Sequence, residues 1–135
     1  VASITTIVVP DAAATPVNHT FSKVKVDGDT AIFNEKSSVS SLGYWQLALT
    51  HRLPLAGQAE KVYRDTLMLS CPVVYNEVIN GITRPSMGYS LRTRVEFITP
   101  AESVIQNRKD QRKLTVGILN DTSFVGMYEN QENIS

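Results

Sequence analysis

The stretch Met87-Gly88-Tyr89-Ser90-Leu91-Arg92-Thr93-Arg94-Val95-Glu96-Phe97-Ile98, followed at once by Thr99-Pro100-Ala101-Glu102, decides the reading of the fold. Up to Ile98 it alternates with period two. Tyr89, Leu91, Thr93, Val95 and Phe97 share one side; Ser90, Arg92, Arg94 and Glu96 share the other. That is a strand with one apolar and one polar face. Then the period changes. Thr99 can cap, Pro100 suits a first turn and Glu102 stands three residues after the cap, so a helix is expected to start here. Ala101, Val104, Ile105 and Arg108, then Leu114, Ile118 and Leu119, line a stripe with a polar middle. Thr122–Gln131 reads as a second short helix with Phe124, Met127 and Tyr128 on its apolar side, and the residues after it as frayed or held by a partner.

Upstream, strands dominate. Ser3–Val9 is mostly β-branched. Val17–Val26 alternates, with Phe21, Lys23 and Lys25 set against Val24 and Val26, and Asp27-Gly28 signals a hairpin into Thr30–Lys36. Ser37–Gly43 is a serine-rich loop. Tyr44–Leu53 and Lys61–Cys71 are further strands, joined by a Pro- and Gly-containing connection. Pro72 weakens ladder bonding, Val73–Gly81 is ambiguous, and Asn80-Gly81 is a turn. Strands first and helices last give an α+β fold with segregated elements. No crossover helix precedes Thr99, so the sheet is antiparallel. One helix with a polar centre covers a sheet face poorly, which points to cover from a partner subunit.

With 135 residues the chain is one expected domain (1–135), divided into 3–36, 44–98 and the helices at 100–131. Thirteen Lys and Arg balance thirteen Asp and Glu, which excludes a uniformly basic nucleic-acid binder but not a basic face. The balance is uneven: residues 44–98 carry net +2 and residues 121–135 net −3. Cys71 is the single cysteine, so no intrachain disulfide can form. Nothing approaches a membrane span, and no signal-peptide pattern follows Val1.

Chemistry-bearing motifs are sparse. His19, His51 and Cys71 lack metal-ligand spacing, so no metal or other cofactor is expected. No phosphate-binding glycine loop or nucleophile elbow occurs, and no catalytic residue is assigned. The stronger feature is a series of polar strand faces: Gln46, Ala48, Thr50 and Arg52; then Lys61, Arg64 and Thr66; then Ser90, Arg92 and Arg94. Placed side by side they mix phosphate-binding cations with shorter hydrogen-bonding groups, a surface suited to RNA. An ordinary solvated sheet face reads the same way.

The chain resembles the coat proteins of small single-stranded RNA bacteriophages, the levivirus type. The resemblance rests on Tyr44-Trp45-Gln46-Leu47-Ala48-Leu49-Thr50-His51-Arg52, on Lys61-Val62-Tyr63-Arg64, and on Gly88–Pro100 running into a helix with an acidic first turn. It implies an N-terminal β-hairpin, an antiparallel sheet of about five strands and two C-terminal helices. It also implies an intertwined homodimer with a continuous ten-stranded sheet, and a T=3 icosahedral shell located in the virion and assembled in the bacterial cytoplasm. Its partners would be itself, single-stranded genomic RNA, an RNA hairpin operator whose binding represses replicase translation, and a phage maturation protein. Membranes would play no part. Carried over by strand register, Gln46, Thr50, Arg52, Lys61, Arg64, Thr66, Ser90, Arg92 and Arg94 would face RNA. Val104, Ile105, Leu114, Ile118 and Phe124 would form the dimer interface. The family often stacks a base on a tyrosine near Ser90, whereas Tyr89 points the other way in the alternation. Two further readings remain: a dimeric RNA-binding regulator that builds no shell, and an enzyme or small-ligand module using His51 and Cys71.

Overall fold

The computed structural model describes residues 4–38, 40–57 and 59–134. The expected strand start at Ser3, Val39 and Gln58 within the expected loops, and Ser135 lie outside them. Strands β1 (Thr6–Pro10), β2 (Asn18–Asp27), β3 (Thr30–Glu35), β4 (Trp45–Arg52), β5 (Val62–Ile79) and β6 (Ile82–Pro100) are followed by helices α1 (Ile105–Leu119) and α2 (Thr122–Glu129). Among the described residues the strands form one six-stranded sheet in sequence order, β1 to β6. The N-terminal hairpin is part of that sheet, because β2 pairs with β3 from Ser22↔Asn34 to Asp27↔Thr30. Four strands therefore follow the hairpin, where about five were expected. The chain divides into two compact units, one ending at Ile98 and one beginning at Thr99.

The sheet unit is organised by which side each residue takes. Phe21, Phe33 and Leu47 are its buried core, packed by Ile7, Ala31, Trp45, Leu49, Leu67 and Leu69. All lie on one face, as the pairs Phe33↔Leu47, Ala31↔Leu49, Leu47↔Leu69 and Leu49↔Leu67 require. Phe33 is 1% exposed. Burying an aromatic ring that fully contributes roughly 2–3 kcal/mol of transfer free energy.

Three expectations need correction. First, β5 runs through Pro72 to Ile79, and β6 begins at Ile82 rather than Met87. β4 and β5 pair from Arg52↔Arg64 to Gln46↔Ser70, so Pro72 lies where β5 has lost that neighbour and owes it no ladder bond. Pro85 is tolerated in β6 because β6 is an edge strand. The Asn80-Gly81 turn joins them, with φ of 52° and 76°, the left-handed pair that a tight hairpin demands.

Second, the helix does not start at Thr99-Pro100. β6 continues to Pro100, a turn closes from Ser103 N–H to the Pro100 carbonyl at 3.0 Å, and α1 begins at Ile105 after Val104. Val104 offers no capping side chain. Instead Arg108 Nη1 donates to the Ser103 carbonyl (2.8 Å) and Ser103 Oγ (3.0 Å). The spacing that signals a capping box here makes a tight turn, and Ala101 belongs to that turn rather than to a helical stripe. α2 ends at Glu129, two residues earlier than expected, and Asp121 caps its start through Ser123 N–H at 2.9 Å.

Third, the alternation of β2 is broken. Lys23 pairs with Phe33 and Lys25 with Ile32, leaving Val24 as the extra residue of a β-bulge. Lys23 and Lys25 therefore take opposite faces rather than the same one.

Candidate nucleic-acid interface

The face opposite the core is built in rows. Residues paired across antiparallel strands point to the same side. One row is Asn34, Gln46 and Ser70, extended to β6 by the Ser70 and Ser90 hydroxyls, 3.2 Å apart. The next is Lys25, Ile32, Ala48 and Met68. The third is Asp27, Thr30, Thr50 and Thr66, tied by a 2.9 Å contact between the Thr30 and Thr50 hydroxyls. Arg52 stands opposite Arg64 in a fourth. A shallow groove of about 430 Å³ is lined by Gln46, Ala48, Met68, Ser70, Arg92 and Arg94, among others.

The structure thus brings together eight of the nine residues expected to face RNA: Gln46, Thr50, Arg52, Arg64, Thr66, Ser90, Arg92 and Arg94. Lys61 is the exception. It is exposed and precedes β5, so no pairing aligns it with the rows. Tyr89 alternates with Ser90 and is exposed.

Charge on this face is mixed but positive in balance. Glu96 accepts from Arg64 at 3.2 Å and from Arg94 at 3.4 Å. Both arginine side chains remain about half exposed or more, so these pairs are screened and exchangeable. A phosphate, which binds guanidinium forks strongly, can displace the carboxylate. Lys25, Met68, Ser70 and Thr30 belong to the surface but carry no signal in their own strands. Lys25 is hidden by the bulge, and the others become visible only once the register is known.

The other candidates do not assemble into chemistry. His51 pairs with Asp65, hydrogen-bonds to it and stacks on Tyr63 with ring centroids 5.8 Å apart. Cys71 lies six residues further along β5, on the order of 20 Å from Asp65 at strand rise. Burial pushes its thiol pKa up, away from the reactive thiolate. The His51–Cys71 pair is not formed.

In the helical unit, Val104, Ile105, Leu114 and Ile118 are each about three-fifths to two-thirds exposed. Phe124 is half-buried and stacks on Tyr128 at 6.3 Å. A groove of about 820 Å³ is lined by Leu114, Gly117, Ile118, Phe124, Met127 and Ile134 with polar neighbours. No helix among the described residues is long and apolar enough to cross a membrane.

The model of the levivirus coat protein family matches residues 2–133 of this chain, which span the polar, cation-bearing sheet face, the apolar core and both helices. The chain belongs to the levivirus coat proteins. As a coat protein it is a structural component of a bacteriophage virion, which confirms the resemblance read from Tyr44–Arg52 and Gly88–Pro100. Solved structures agree. The coat protein is similar to the virus-like particle of bacteriophage ESE058, with 27% identity, 99% of this chain and 100% of that one covered, and a TM-score of 0.91. The virus-like particle of Beihai levi-like virus 21 gives 24%, 99% and 99%, and 0.85. The bacteriophage GA protein capsid gives 17%, 98% and 98%, and 0.78. The last two show the fold alone. No curated protein sequence matches this coat protein.

Proposed function

We propose that two copies of the chain form an intertwined dimer, that the dimers close into an icosahedral shell, and that the polar sheet face points inward onto the packaged RNA. Membership in the levivirus coat family over residues 2–133 is the observation that carries this reading. β6 is a long edge strand with one neighbour, β5. Exposed edges invite pairing, and two β6 edges would continue one sheet through the dimer. Counted by the pairing of this chain, that sheet has twelve strands including the hairpins, against the ten expected. The apolar residues of α1 and α2 would interlock with those of the second copy. Such an obligate interface exceeds roughly 2,000 Å² of buried surface.

The inner face would hold single-stranded genomic RNA through Arg52, Arg64, Arg92 and Arg94, with Gln46, Thr50, Thr66 and Ser90 bonding bases or sugars. The same face would take an RNA hairpin operator and so repress replicase translation. A T=3 shell with one position given to a maturation protein, assembled in the bacterial cytoplasm, completes the reading. Expression of the full chain, followed by size-exclusion chromatography and electron microscopy, tests it. RNA-filled particles are expected. Monomers at micromolar concentration would overturn both shell and dimer, and lone dimers that bind RNA would leave only the regulator.

A further inference from the structure

The second row of the polar face differs from its neighbours. The rows on either side carry amides and hydroxyls, but Ile32, Ala48 and Met68 are apolar. Met68 is 50% exposed on a face that needs no apolar cover. Arg92 lines the groove beside Met68 at one end of the row, and Lys25 ends it at the other, four strands away. At ordinary strand spacing the two cations stand roughly 19 Å apart. Lys25 reaches this face only because Val24 is bulged out; without the bulge Lys25 would share the side of Lys23 and the core. Among the ion pairs of the described residues none involves Lys25.

We propose that single-stranded RNA crosses the strands along this row, with Lys25 binding a backbone phosphate at the far end and Ile32, Ala48 and Met68 forming the floor on which unstacked bases lie. The proposal rests on the RNA-binding reading above and extends its footprint over β3 to β2. Bases present apolar faces to such a floor whatever their sequence. A thioether adapts to differently placed rings. The flanking rows, with Gln46 and Ser70 on one side and Thr50 and Thr66 on the other, offer hydrogen bonds to base edges. A cation at each end and hydrocarbon between fit the alternation of phosphate and base. They fit no acidic protein segment equally well, because such a segment would leave the floor unfilled.

Lys23 is the internal control: same strand, same charge, opposite face. Binding of a short oligouridylate to the RNA-free full chain, measured over a salt series, tests the proposal. Lys25→Gln should weaken binding several-fold and lower the salt slope by about one. Lys23→Gln should match the wild type. Met68→Ser should weaken binding with the slope unchanged. If Lys25→Gln binds like Lys23→Gln while Arg92→Gln is impaired, the extended footprint is wrong and the inner-face reading stands. If Arg92→Gln is also unimpaired, the inner-face reading falls with it.

Discussion

His19 is held by three partners: two carboxylates and an indole ring. Its Nε2 meets Asp11 Oδ2 at 2.9 Å, its Nδ1 lies 3.5 Å from Glu35 Oε2, and its ring stacks on Trp45 with centroids 4.5 Å apart. A neutral imidazole has one N–H and cannot donate to both carboxylates; an imidazolium can. The bond to Asp11 raises the pKa of His19 above its ordinary 6.5, with Glu35 adding to the rise and burial opposing it. Asp11 moves the other way, from 3.8 to about 2, because it accepts the backbone N–H of Val17, then the His19 ring, then the N–H of Ala13. The stability supplied by His19 is fully present below 6.5 and is lost as pH rises through its raised value. That supplied by Asp11 is present above 3.8 and is lost as pH falls toward about 2. The β1–β2 connection is thus held best between the two limits. Trp45 is the single tryptophan, and a stacked imidazolium quenches indole fluorescence. The emission should rise as pH increases through the His19 transition, with a midpoint above 6.5, and this rise should vanish in His19→Gln. A signal that stays level between pH ~5 and ~9 would contradict the assignment.

At the scale of elements, local chemistry and pairing divide the information. Gly43 ends the 3-10 turn Ser41–Gly43 and is buried. A Cβ there would collide with Ser38 Oγ, sit 2.8 Å from Ser38 Cβ and 3.3 Å from Val74 Cγ2. Gly43→Ala should therefore destabilise the sheet unit by about 1–3 kcal/mol, read as a lower urea midpoint with an unchanged slope. The two hairpin turns were legible because a glycine with positive φ marks each, although Asp27 ends β2 opposite Thr30 and the first turn is Gly28-Asp29, while the second is Asn80-Gly81. The faces of β4 and β6 were legible for a similar reason, since alternation fixes the side of every residue once one is known. The bulge at Val24 was not legible. Lys23-Val24-Lys25-Val26 alternates perfectly as letters, and only pairing with β3 reveals the extra residue. The false helix start at Thr99 has the same origin: a capping box and a tight turn use the same residues. Eight of the nine residues expected to face RNA share the polar sheet face, as alternation implies, whereas Lys61 precedes β5 and lies outside the strand that alternation describes.

The whole molecule poses a question that neither residues nor elements answer, because no residue of α1 or α2 is buried in the single chain. Helices of fifteen and eight residues gain most of their stability from packing an apolar face, and here Leu114 and Ile118 of α1 are exposed while Phe124 and Met127 of α2 are only half-buried. The proposed dimer would cover them with a second copy, and the double variant Leu114→Asp/Ile118→Asp separates the alternatives. In a chain that stays alone, both positions are about two-thirds exposed, and each substitution should cost no more than about 0.5 kcal/mol. In an interlocked dimer each carboxylate is carried into an apolar interface, once in every subunit. An unpaired charge there costs several kcal/mol, and four per dimer exceed what a marginally stable assembly can absorb. The expected outcome is loss of particles, seen by size-exclusion chromatography and electron microscopy, with far-UV circular dichroism showing reduced helix. Lys23→Gln, placed on β2, should assemble at the wild-type yield under the same conditions. Particles of normal size and yield from the double variant would show that Leu114 and Ile118 remain wet in the shell, and the contact between copies would then have to be sought along β6.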